Sequence, residues 1–162
     1  MRADIDAAVK IVRAAAGFDW SWAVADLERF SETLDWEVSE RRPRGATLDT
    51  GLHVNWPKAN AIIDAAGVRE ITVWVSDIAE TLDDIVSCAI ADGFEEIHAQ
   101  LVEYFGPPSR EVIGEVPRSG WQFPNVVVFL TAGLKALEVS IVNPDHQRRL
   151  DIPEQTTRIW KF

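Results

Sequence analysis

Residues 68–75 read Val68-Arg69-Glu70-Ile71-Thr72-Val73-Trp74-Val75. Ile71, Val73 and Val75 face one way and Thr72 and Trp74 the other. The β-branched residues and the period of two predict a strand with one buried face. Upstream, Leu48, Thr50, Leu52, Val54 and Trp56 alternate with Asp49, Gly51, His53 and Asn55, which predicts a strand over 48–56 with Trp56 inward. Residues 57–67 fit either a strand joined to 68–75 through Ala65-Ala66-Gly67 or a single helical turn. The strength of the strand that follows favours the hairpin. Trp36 and Val38 alternate with Glu37 and Ser39 ahead of a turn at Pro43-Arg44-Gly45. Downstream, 125–131 and 134–142 predict a second hairpin around Ala132-Gly133. Its first strand, Val126 to Leu130, is apolar on both faces and belongs at the centre of a sheet. Residues 109–120 are turn-rich, with room for an edge strand at 111–116.

Helical spacing flanks these strands. Ile5, Val9, Val12 and Ala16 form one stripe over 3–16, with Gly17 placed as a left-handed cap. Ala23, Leu27, Phe30 and Leu34 form another over 21–34, behind Asp19 or Ser21 as N-cap. After the strand at 68–75, Asp77 and Glu80 follow capping-box logic. They predict a helix from 78 that buries Leu82, Ile85, Val86, Ala89 and Ile90. Asp92-Gly93 is read as a break or kink, followed by a helix over 94–105 that Gly106-Pro107-Pro108 stops. The order helices, strands, helices, strands predicts an α+β fold. Its antiparallel sheet has about five to six strands, with the long helix on one face. The 162 residues are read as one domain. Residues 1–35 are its helical part, 36–144 the sheet with its central helices, and 145–162 a tail whose Ile159-Trp160-Lys161-Phe162 docks back.

Charge carries most of the functional information. The net charge is −10, which argues against nucleic acid, whose binding requires clustered Lys and Arg. From Glu70 to Ser109 there is no Lys or Arg, against nine acids. On the predicted helix, Asp77, Glu80, Asp83 and Asp84 border the apolar stripe, and Glu95 and Glu96 extend the acidic surface. Like charges so dense repel one another in the free protein, and a cationic partner relieves that repulsion. These six acids, with Trp74 on the face opposite Ile71, Val73 and Val75, are the candidate partner-binding residues. Trp is enriched at binding hot spots.

Catalytic signatures are sparse. The three histidines, His53, His98 and His146, have no convincing sequence partners. Glu95 and His98 offer two ligands at i, i+3, short of the three or four a metal needs. No G-x-S-x-G, P-loop or G-x-G-x-x-G occurs. No catalytic residue, cofactor or metal is assigned. The single cysteine, Cys88, is expected to be buried and inert. No apolar h-region follows the N-terminus, and the longest uncharged apolar run, Val126 to Leu134, falls short of the ~20 residues of a membrane span. The expected location is cytoplasmic.

Several stretches together carry a family likeness: Phe18-Asp19-Trp20-Ser21-Trp22, Leu34-Asp35-Trp36, the strand Ile71 to Asp77, Phe105-Gly106-Pro107-Pro108 and the hairpin Trp121 to Val142. The chain resembles small actinobacterial proteins of unknown function from polymorphic-toxin and type VII secretion neighbourhoods. Its element order also resembles secretion-chaperone-like and YbjN-like α+β folds. The resemblance implies a protein-binding role and brings no catalytic residues. The leading expectation is an immunity protein that neutralises a basic toxin through the acidic helical face, losing salt-sensitive binding on Asp83→Lys with Asp84→Lys. The alternative is a secretion chaperone or adaptor for an effector client, a role compatible with a homodimer. The third reading is a small enzyme with a dispersed site near His53 or His98.

Overall fold

A computed structural model describes residues 1–159, with side chains through Asp151. The docking expected of Trp160 and Phe162 lies outside the described residues. Helices α1 (Ile5–Gly17) and α2 (Asp26–Leu34) precede strands β1 (Glu37–Arg42), β2 (Gly45–Asp49), β3 (Lys58–Asp64) and β4 (Gly67–Trp74). Helix α3 (Asp84–Phe105) leads to β5 (Arg110–Val112), β6 (Arg118–Gln122), β7 (Val127–Ala132) and β8 (Leu137–Val142), and α4 (Pro144–Ile159) follows.

The fold is α+β, as expected, but the sheet has eight strands and not five to six. Their order is β1-β2-β3-β4-β8-β7-β6-β5, antiparallel throughout. Two four-stranded meanders are thus joined edge to edge, with Ile71 opposite Ile141 and Val73 opposite Val139 at the seam. The hairpin reading of 57–67 holds. Asp64 accepts the Ala66 N–H (2.8 Å) and the Arg69 Nε–H (2.5 Å) across the β3–β4 turn. The Arg69 guanidinium holds the Asp64 carboxyl below the usual carboxylate range. The edge strand allowed at 111–116 is present as β5, shorter and starting at Arg110, and the strand missed from sequence is β6. In β6 only Ser119 and Trp121 point inward, and Gly120 is bare because a Cβ there would meet the Phe129 ring at 2.6 Å.

One face of the sheet packs against α1, α2 and α3 around Ile11, Leu27, Phe30, Leu48, Ile71, Ile97, Leu101, Leu130 and Ile141, all buried. Strand β2 stops at Asp49, so the alternation over 50–56 is a loop, closed by Thr50 N–H donating to the Pro57 carbonyl (3.0 Å). Trp56 lies half out in solvent, not inward as predicted. Gly17 keeps helical backbone, with Phe18 as an extended C-cap, so the expected left-handed cap is absent. Neither Asp19 nor Ser21 caps α2. Buried Asp26 gathers the preceding loop instead, accepting the Ser21 and Trp22 N–H groups at 2.8 Å each. That loop stacks Trp20 on Trp22, ring centroids 4.4 Å apart.

Candidate protein-binding surface

Helix α3 does not begin where the Asp77/Glu80 pair suggested. Asp83 is its N-cap, in extended backbone, accepting the Val86 N–H at 2.8 Å. Asp84 stands in the first turn, where a negative charge complements the helix dipole. Asp77 is otherwise engaged: its carboxylate accepts the Arg2 N–H and the Asn55 N–H, both at 2.8 Å, tying the N-terminus and the 50–57 loop to the end of β4. The helix runs unbroken through Asp92-Gly93. Gly93 is a close-packing position and not a break, since a Cβ there would meet Leu137 Cδ1 at 2.7 Å. Ile90, Gly93, Ile97 and Leu101 form the buried stripe. Gly106, at φ 80°, ends the helix and donates its N–H to the Val102 carbonyl at 2.7 Å.

The expected burial of the first turns fails. Ile85 is 82% exposed and Leu82 56% exposed, and Cys88 is exposed where a buried thiol was predicted. Helical periodicity marks an apolar stripe but carries no information on whether a partner surface lies opposite it. Around these residues the acids are solvent-facing: Glu80, Asp83 and Asp84 near the start of α3, then Asp92, Glu95, Glu96 and Glu103 along it. Helix α3 carries no Lys or Arg. Among the described residues none of these carboxylates forms an ion pair. At the C-terminal end of the helix, Arg13 of α1 places its guanidinium over the Tyr104 ring at 4.2 Å.

Beside this acidic face is a cleft of about 360 Å³ between α3, the 113–117 loop and the β7–β8 turn. Ile90, Ala91, Phe94, Pro117, Ala132 and Leu134 make it mostly apolar, and its only charged lining residues are Glu95 and Glu115. Neither the sequence order nor the periodicity signalled this cleft, because its walls come from three separate segments.

Trp74 sits elsewhere. It is half-buried on the opposite face of the sheet, in register with Glu138, and so is not part of one surface with the acids of α3. There α4 approaches: Gln147 is buried, and Arg110 pairs with Asp151 at 3.0 Å. Val127, Phe129 and Val142 form a small buried cluster on that side, with the Arg118 guanidinium 3.6 Å above the Phe129 ring. Burial pushes the Glu138 carboxyl up from its ordinary range, and Glu70 adds to the shift, while Arg118 and the Trp74 indole act in the opposite sense. A carboxyl whose pKa rises on folding destabilises the fold once it is ionised. Glu138→Gln is therefore expected to raise the melting temperature at neutral pH. The gain should shrink as pH falls and vanish below the unfolded pKa of about 4.3, where both side chains are neutral. Melts of both proteins across that range check it, and a pH-independent difference contradicts it.

The histidines stay apart. His98 lies half-buried between Phe94 and Trp121, each ring 5.7 Å away, with Nε2 3.8 Å from Glu111 Oε1. None of the three histidines lines the apolar cleft. His53 borders a second hollow, of about 320 Å³, with Asp4, Asp6 and Lys10. The Asp4 carboxylate is already bonded to the Ala7 and His53 backbone N–H groups, at 3.2 and 3.1 Å. Among the described residues no three of His, Cys, Asp and Glu are grouped to hold a metal ion, and no helix is long and apolar enough to cross a membrane.

An α+β domain with an eight-stranded double meander and an acidic helix whose carboxylates form no ion pair among the described residues defines the class. The chain belongs to DUF6301, a family of unknown function whose model matches residues 6–143. No curated protein and no solved structure matches it.

Proposed function

We propose that this domain is a cytoplasmic protein-binding module that docks a cationic partner on the outer face of α3, in the manner of an immunity protein neutralising a basic toxin. The observation that carries the reading is the row Asp84, Asp92, Glu95, Glu96 and Glu103, without ion-pair partners among the described residues, on a helix without a Lys or Arg. Holding such a row together costs self-repulsion in the free protein, and a cationic surface reverses the sign of that term. The toxin-neutralising part of the reading rests on the likeness to proteins of toxin neighbourhoods.

The test uses the purified product of the adjacent gene. Charge reversal belongs at Asp84 and Glu96, since Asp83 also caps α3 and its loss would cost about 1 kcal/mol of helix stability. The complex is expected to associate faster at low salt. Asp84→Lys with Glu96→Lys should weaken it about 30-fold, roughly 1 kcal/mol for each reversed charge. Affinity that is unchanged in the double variant across a salt series would overturn the reading. A secretion chaperone is the second reading, supported by the apolar cleft and by exposed Leu82 and Ile85. It predicts binding to an unfolded client in preference to a folded one, measured by competition between the two forms.

A further inference from the structure

The apolar cleft beside α3 is the strongest feature that acidity alone does not explain. Its floor is Ile90 and Phe94 of α3, and Pro117 and Leu134 close the far side. Two exposed apolar side chains belong to its walls or adjoin them in sequence: Leu134 of the lining is 48% exposed, and Ile113, next to the lining residue Gly114, is 92% exposed. An apolar cleft with exposed apolar side chains beside it marks an interaction site in a soluble protein. Polar features narrow the choice of occupant. Both charged residues in its lining, Glu95 and Glu115, are acids, and the acidic row of α3 runs alongside. Ser87, Glu95 and Glu115 supply the polar side chains of the lining, and all three stand exposed to solvent, so a small polar ligand would find no desolvated anchor there. A second copy of the chain would set net −10 against net −10 and acidic rim against acidic rim.

We infer that the cleft receives the apolar side-chain row of a basic amphipathic segment in the partner protein, with its flanking Lys and Arg on the acids of α3. This deepens the proposed function and rests on it. An apolar face laid into a groove, with flanking charges paired at the rim, is a recurrent mode of peptide recognition. The apolar part supplies affinity and the charges supply approach and orientation.

The probe is a synthetic, fluorescently labelled Leu/Lys peptide with Leu at helical spacing. One control has the same composition shuffled so that no apolar face forms, and a second has Glu in place of Lys. Anisotropy at fixed low salt is expected to show the amphipathic cationic peptide binding at least about 10-fold tighter than the shuffled one, a gap of roughly 1.4 kcal/mol. Ile113→Asn with Leu134→Asn, both at exposed positions, should remove that advantage and leave the shuffled peptide's affinity unchanged. Equal binding of the two cationic peptides, or an advantage that survives the double variant, overturns this inference alone. Failure of both cationic peptides to bind, or equal binding of the Leu/Glu peptide, overturns it together with the charge-based reading. Sedimentation is the second measurement: a wild-type dimer that the double variant dissociates would assign the cleft to a second copy, against the inference.

Discussion

Asp26→Ala is expected to cost about 3–5 kcal/mol, the range for breaking a buried charged group out of its bonding network. The side chain is 1% exposed. One oxygen accepts the Ser21 and Trp22 N–H groups at 2.8 Å, and the other accepts the Ser21 hydroxyl at 3.0 Å and Arg29 at 2.5 Å. Alanine leaves two backbone donors without acceptors, and charge-assisted bonds of this kind contribute about 1.5–3 kcal/mol each. The loop they hold is not otherwise comfortable, because Trp22 sits at φ 65°, a region non-glycine residues seldom occupy. At about 2–4 °C per kcal/mol for a chain of this size, the melting temperature should fall by about 10 °C. Asp26→Asn is the informative companion. Its amide oxygen can keep both backbone bonds while the Arg29 pair is lost, so it should cost only about 1 kcal/mol. Equal losses in the two variants would show that the charge matters and the backbone bonds do not.

Gly67→Ala acts on the other side of the same loop. Gly67 opens β4 at φ 119°, and a Cβ there would stand 2.2 Å from the Trp22 carbonyl oxygen, which accepts the Val68 N–H at 2.8 Å. Backbone strain and overpacking each cost about 1–3 kcal/mol, so a loss of roughly 3 kcal/mol or more is expected, read by chemical denaturation. Gly17→Ala is the control. It has open space around its Cβ position and helical backbone, so alanine should be neutral or stabilise by up to about 1 kcal/mol. A Gly67→Ala protein as stable as the control would refute the clash. Because both variants act on one loop, Asp26→Ala combined with Gly67→Ala should cost less than the sum of the two.

The hairpins at 58–74 and 127–142 were legible because their alternation and turn residues agree, and the Gly106-Pro107-Pro108 stop was legible because proline cannot continue a helix. Strand β6 was not. Its pattern is broken by Gly120, whose bareness is a requirement of the Phe129 ring on the next strand. The helix start was misplaced because Asp77, with Glu80 three residues on, fits the capping box, whereas Asp83, the actual cap, has Val86 at that place. The choice was made by Arg2 and Asn55, 75 and 22 residues from Asp77, whose amides occupy its carboxylate. The acidic character of the candidate surface was legible in the run without Lys or Arg from Glu70 to Ser109. Its extent was not. Trp74 lies on the sheet face opposite Ile71, as its alternation predicted, and so apart from the acids of α3, while Asp77 proved to be a tie between segments.

By itself the sequence determined the antiparallel α+β class and the negative sign of the α3 surface, since both follow from periodicity and charge carried by consecutive residues. Only the tertiary structure decided that Ile85 and Leu82 stand in solvent, that Gly93 is a contact and not a break, and that an apolar cleft opens beside the acids. Those outcomes depend on what stands opposite each side chain, and the segments that stand there are far away along the chain.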